Sequence, residues 1–86
     1  MSLSIIIPVY NEKNTIKTII EKVLKFKSLK KEIIIIDDFS NDGTSEIIED
    51  LEKRNNEIIS IKHDKNQGKG AAIKSGLSFA KNDFIL

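Results

Sequence analysis

Lys31-Glu32-Ile33-Ile34-Ile35-Ile36-Asp37-Asp38-Phe39-Ser40-Asn41-Asp42-Gly43-Thr44 decides how the rest of the chain is read. Four consecutive isoleucines show no apolar–polar alternation, so a strand built from them has both faces buried, as at the centre of a parallel sheet. Their β-branched side chains suit a pleated backbone, and the run is too short to make a helix by itself. It ends at two carboxylates, followed by Ser, Asn, Asp and Gly, all turn formers. Ligands of open α/β sheets sit beyond the carboxyl ends of such strands. Asp37 and Asp38 are therefore the first candidates for a functional site.

Towards the N-terminus, Ser4-Ile5-Ile6-Ile7-Pro8-Val9 reads as a second buried strand. Pro8 lacks a ladder donor, so pairing is expected to loosen from that point. Tyr10-Asn11-Glu12-Lys13-Asn14 is a polar loop, and Asn14 is the expected N-cap of a helix. Ile16, Ile19, Ile20, Val23 and Leu24 make one apolar stripe on that helix. Beyond the acidic loop, Thr44 is the expected cap of a second helix, with Glu46 in its first turn and Ile47, Ile48 and Leu51 inward. Glu57 to Lys62 is a third strand, polar enough for a sheet edge. Lys69 to Lys81 is a third helix with Ala72, Ile73, Leu77 and Ala80 inward, and Phe84-Ile85-Leu86 begins a fourth strand.

The order β-α-β-α-β-α-β predicts an α/β fold with a mainly parallel sheet and helices on both faces. Right-handed crossovers gather the loops after the strands on one rim. Tyr10–Asn14, Asp37–Gly43 and His63–Lys69, far apart in sequence, meet there.

A length of 86 residues allows one small domain, and 31% charged with 40% hydrophobic residues is ordinary globular composition. A net charge of +1 gives no electrostatic basis for binding nucleic acid or a membrane surface. Without cysteine there are neither disulfides nor thiolate metal sites. Met1-Ser2-Leu3-Ser4 carries no signal-peptide pattern, and no apolar run approaches the ~20 residues of a membrane span. The expected setting is cytoplasmic, with membrane association kept for a longer enzyme.

Each motif has a plain structural reading beside the functional one. Asp37 and Asp38 suit a turn before a helix, but a pair leaving a buried strand on the shared rim favours ligand contact. A carboxylate accepts an N–H flanked by carbonyls, as on uracil, the N–H groups of guanine, or ribose hydroxyls. Gly68-Lys69-Gly70 fails as a P-loop, since Gly70 stands where Ser or Thr is needed. It fails as a dinucleotide fingerprint because Ile73 occupies the sixth place. Lys69, at a helix N-terminus, is still positioned to meet an anion. His63 has no partner at metal-ligand spacing and is read as a surface residue. No Ser-His-Asp arrangement is expected, because Ser40 has no nucleophile-elbow context.

Three blocks together resemble the start of family 2 glycosyltransferases: Ser4 to Glu12; Glu32 to Asp38 with Ser40, Asp42, Gly43 and Thr44; and Asn66 to Ala72 with Gly76, Ala80 and Asp83. The third block is similar to the polyprenyl-phosphate branch, which includes dolichyl-phosphate mannosyltransferases. The resemblance implies a GT-A fold whose Rossmann-like first half binds a nucleotide-diphosphate sugar. Carried over residue by residue, Pro8, Tyr10 and Glu12 line the nucleotide pocket, Asp38 contacts the base, Asp37 shapes the loop, and Lys69 is a weaker match. Phe39 departs from the pattern, since many relatives have glycine there. Residues 1–86 then read as a truncated nucleotide-sugar-binding domain, without catalytic or metal-ligating residues and inactive alone. The family's Asp-x-Asp, which with Mg or Mn would clamp the diphosphate, is expected after the strand that begins near Asp83. A polyprenyl phosphate is the implied acceptor, and a homodimer through the C-terminal strand is expected. The alternatives are a stand-alone nucleotide-binding or interaction module, or a receiver-like signalling domain. A receiver wants its acidic pair after the first strand, where this chain has Tyr10-Asn11.

Overall fold

In the computed structural model, which describes residues 2–25, 30–81 and 84–85, the isoleucine run is the centre of the sheet. The elements are β1 (Ser2–Val9), α1 (Ile16–Leu24), β2 (Lys30–Asp37), α2 (Thr44–Arg54), β3 (Ile58–Lys62), α3 (Lys69–Phe79) and β4 (Phe84–Ile85). The strand order is β3-β2-β1-β4, and every pairing is parallel. Ile33 to Ile36 face Ile5 to Pro8 on one side and Ile58 to Ile61 on the other. All four isoleucines are fully enclosed.

Alternation divides them between two cores. Ile33 and Ile35 pack with Val9, Ile16, Ile20, Ile48 and Leu51, beneath α1 and α2. Ile34 and Ile36 pack with Ala72 of α3, flanked by Ile6, Ile61 and Ala80. Burying each isoleucine side chain contributes roughly 1.5–3 kcal/mol. Helices therefore cover both faces, as the unbroken apolar run requires. Polar contacts fix the strand's entry: Lys31 Nζ lies 3.4 Å from Glu57 Oε2. Glu32 Oε2 accepts from Ser4 Oγ at 2.7 Å and from the Lys81 N–H at 2.9 Å.

Four local expectations are corrected. Pairing does not loosen at Pro8, because the register runs on to Val9 opposite Asp37. The Asp38 N–H donates to the Val9 carbonyl at 2.8 Å. Backbone groups alternate along a strand, so those of Pro8 point away from β2. On that side β4 pairs only with Leu3 and Ser4 among the described residues, so the absent donor breaks no described bond. The N-cap positions of α1 and α2 are Thr15 and Gly43 rather than Asn14 and Thr44. Thr44 is instead buried as the first residue of α2, where its hydroxyl ties loops together. Ile19, in the expected inward stripe of α1, is 41% exposed. On α3, Ile73 and Leu77 are exposed, and the buried face is Ala72 with Gly76. Gly76 explains this: a β-carbon there would come within 2.5 Å of Ile6 Cγ2 and 2.8 Å of Ile36 Cδ1. The helix lies so close to the sheet that only small residues fit beneath it.

Candidate functional site

At the carboxyl ends of β1, β2 and β3 the three loops converge as the topology predicts. The first two are laced together by polar side chains bonding to backbone. Ser40 Oγ accepts from the Asn11 N–H, and Asn11 Oδ1 accepts from the Asn41 N–H, both at 2.9 Å. The Glu12 N–H donates to Thr44 Oγ1 at 3.0 Å, and the Lys13 N–H donates to Asp42 Oδ2 at 3.3 Å. The lacing holds Asn11 at φ 52° and Phe39 at φ 66°, left-handed values that side chains other than Asn and Asp rarely take. Asp42 also accepts from the Thr44 hydroxyl and backbone N–H, which hold its carboxyl below the ordinary range.

Asp37 and Asp38 point to different tasks. Asp37 is buried and accepts from the Ser40 N–H at 2.9 Å and from the Ser45 hydroxyl, so it shapes its own loop and the start of α2. Asp38 gathers the third loop. Its Oδ1 lies 2.8 Å from His63 Nδ1 and accepts from the Gln67 N–H at 2.9 Å, while Oδ2 accepts from the Gly68 N–H at 2.9 Å. The His63 hydrogen bond, followed by that from the Gln67 N–H, holds the Asp38 carboxyl below the ordinary range. A carboxylate offers about four lone-pair positions, and these contacts use three. One acceptor position, on Oδ2, remains.

His63 is not a surface residue but is buried, and its Nε2 lies 2.8 Å from Ser75 Oγ. Ser75, His63 and Asp38 thus form a Ser-His-Asp chain, contrary to expectation from the sequence. The open cavity lies at the Asp38 end of this chain, and Ser75, inside α3, is not among the residues lining it. Spacing along the chain gave no sign of the Ser75 contact. The His63 contact becomes visible only with the register, since pairing Asp37 with Lys62 sets the next residues, Asp38 and His63, side by side.

An open cavity of about 280 Å³ is lined by Pro8, Val9, Tyr10, Glu12, Asp38, Lys69 and Ala72. The five residues singled out from the sequence, Pro8, Tyr10, Glu12, Asp38 and Lys69, therefore surround one space. Its lining is apolar at Pro8, Val9 and Ala72. Its walls offer an aromatic ring, two carboxylates and, from the first turn of α3, the Lys69 ammonium. Such a mixture suits a ligand with a flat hydrogen-bonding part and an anionic part. Among the described residues no three His, Cys, Asp or Glu side chains gather closely enough to hold a metal ion. The residues described thus do not by themselves fit the divalent metal that the resemblance implies.

The family profile described as Glycosyl transferase family 2 matches residues 4–86, nearly the whole chain. The chain belongs to glycosyl transferase family 2. It is 38% identical over 84 residues to a poly-beta-1,6-N-acetyl-D-glucosamine synthase of Staphylococcus aureus (strain MSSA476), covering 98% of this chain and 20% of that protein. The synthase of the same name from Staphylococcus epidermidis is 34% identical over the same length. The chain thus spans about a fifth of the length of these curated relatives. Among solved structures, it is similar to a mannosyltransferase of Pyrobaculum calidifontis in complex with GDP-Man and Mn2+. That match has a TM-score of 0.89 and 21% identity over 96% of this chain and 25% of the other. S. aureus TarS matches with a TM-score of 0.85 and 26% identity, over 100% of this chain and 16% of that one. These neighbours are GT-A glycosyltransferases, so the fold is a Rossmann-like part of GT-A architecture.

Proposed function

We propose that this part of a family 2 glycosyltransferase binds the nucleotide of a nucleotide-diphosphate sugar in the cavity at the sheet's carboxyl rim. The observation that carries the reading is Asp38: a carboxylate with three donors already bound and one acceptor position left, on the wall of an open cavity. In this reading the open position takes an N–H of the base. The Tyr10 ring covers a flat group above Pro8 and Val9, and Glu12 accepts from a sugar hydroxyl. Lys69 meets the diphosphate charge, helped by the α3 N-terminus. The wider proposals concern the whole enzyme. Transfer is to an acceptor for which a polyprenyl phosphate is our candidate, at a membrane surface. The diphosphate is balanced by Mg or Mn held through residues outside those described. For residues 1–86 by themselves, the further proposal is that two copies associate through β4, an edge strand of the described sheet.

Titration of the protein with uridine and guanosine diphosphates, followed by NMR, tests the site. One of them is expected to shift the amides of Tyr10, Phe39 and Lys69, and Asp38→Ala is expected to weaken binding at least about tenfold, the effect of losing a charged hydrogen-bond partner. Equal affinity in Asp38→Ala and the parent overturns the proposal.

A further inference from the structure

The Ser75–His63–Asp38 chain invites a role that the nucleotide reading does not use. We infer that His63, backed by Ser75, is a positioning residue for base recognition: it holds the Asp38 carboxylate so that its single open acceptor position is presented to the cavity. The inference rests on the nucleotide reading of that cavity.

The geometry specifies the protons. An ionised carboxylate can only accept, so the contact at 2.8 Å requires the proton on His63 Nδ1. In the neutral ring Nε2 is then an acceptor, and the Ser75 hydroxyl at 2.8 Å is its donor. Ser75 thereby fixes both the tautomer and the plane of the ring. The ring fixes Oδ1 together with the Gln67 N–H, and the Gly68 N–H takes one position on Oδ2. Asp38 is 5% exposed and His63 7%, so water does not substitute freely for any of these donors. Among the described residues His63 is the one side chain that bonds the Asp38 carboxylate, the other two donors being backbone N–H groups. Of the other titratable groups that line the cavity with Asp38, Tyr10 and Glu12 come from the loop after β1 and Lys69 from α3. Asp37 precedes it in the chain and is engaged with Ser40 and Ser45. Lys62, at the end of β3, pairs in register with Asp37 rather than Asp38.

Loss of the Nδ1–H donor leaves Oδ1 with one donor fewer in a nearly dry place. The carboxyl then retains its proton to a higher pH, and a protonated Asp38 turns a donor where the base needs an acceptor. His63→Leu removes the donor. His63→Asn keeps an N–H at about the position of Nδ1. Ser75→Ala loosens the ring from behind while favouring the helix.

The test follows the His63 ring nitrogens and the Asp38 carboxyl carbon by NMR across pH, and measures uridine diphosphate and guanosine diphosphate affinity for each variant. The expected results are a protonated Nδ1 in the parent and an Asp38 carboxyl that titrates at higher pH in His63→Leu. At neutral pH nucleotide binding should be about tenfold weaker in His63→Leu, with its acid limb moved the same way. His63→Asn should stay close to the parent in titration and affinity, a rescue that a purely structural role for the imidazole would not give. Ser75→Ala, which tests the chain even if His63→Leu fails to fold, should weaken binding in the same direction. A proton on Nε2 alone, or a parent that binds nucleotide no better than Ser75→Ala and His63→Leu, overturns the inference while leaving the nucleotide reading intact. A parent that binds neither nucleotide overturns the nucleotide reading, and the positioning role of His63 falls with it.

Discussion

Phe39 has a backbone that its own side chain opposes. At φ 66° a β-carbon crowds the following carbonyl, a cost of about 1–2 kcal/mol that glycine avoids. The residue is 47% exposed, and burial of the rest offsets part of this cost. Phe39→Gly is therefore expected to leave stability within about 0.5 kcal/mol of the parent, the relieved strain being offset by glycine's greater freedom in the unfolded chain and by the lost burial; a nearly unchanged midpoint in urea checks it, and a clearly lower one shows that the ring has a packing partner. Residues at this scale were unevenly legible. The paired aspartates after a buried strand were visible as rim residues, and their different contacts follow from alternation, since neighbours on an extended chain face opposite ways. His63 was not visible. A lone histidine in a polar stretch looks wet, and only the pairing of β2 with β3 shows that it ends beside Asp38.

Elements were legible where composition and geometry agreed. The four isoleucines of β2 gave its burial, its central position and the helices on both sides. α3 was recognisable as a helix, but its inward face was not, because apolar character was the wrong guide. Contact distance selects Ala72 and Gly76 for the sheet side and leaves Ile73 and Leu77 outside. Gly76→Ala is expected to destabilise the protein by about 1–2 kcal/mol, although alanine is the better helix former, because overpacking against Ile6 and Ile36 exceeds the propensity gain. Thermal melts of the purified variant check the sign; a stabilised Gly76→Ala would mean that α3 can rise from the sheet without loss. Caps were the least legible feature. Thr44 has the composition of a cap, yet its hydroxyl is engaged by the Glu12 N–H from a loop distant in sequence.

For the whole molecule, two rim carboxylates set the behaviour in acid. Asp38 and Asp42 both lie below the ordinary value of 3.8 when folded. The unfolded chain therefore binds protons first, and the stability these groups supply is complete above that value and is lost as pH falls through their folded pKa values. Urea unfolding at pH 3 and pH 6 is expected to show the parent losing more stability on acidification than Asp42→Asn; parallel losses would mean that Asp42 contributes nothing to the acid limb. Self-association through β4 predicts a sedimentation mass above that of a monomer at micromolar concentration, reduced by Ile85→Lys. A monomer at every concentration refutes it. Among the described residues no helix is long and apolar enough to cross a membrane.

A strand of identical side chains, as β2 is at its centre, cannot count its own residues. Slide it by one position and isoleucine still fills three of the four enclosed places, with Glu32 or Asp37 entering the fourth. Ordinary strands resist such a slip because it would carry their polar residues into the core. In β2 only the ends can refuse it. Lys31 with Glu57, Glu32 with Ser4 and the Lys81 N–H act at one end, and the aspartates act at the other. A slip in one direction would put Asp37, the loop-shaping carboxylate, in the place of Asp38 at the cavity, and a slip in the other would put Phe39 there. Glu32, at the opposite end of the strand from the cavity, thus helps to decide which residue lines it. Glu32→Ala is expected to double the amide resonances of Asp37 and Asp38 as shifted and unshifted chains coexist, and a single set would show that the rim alone keeps the count.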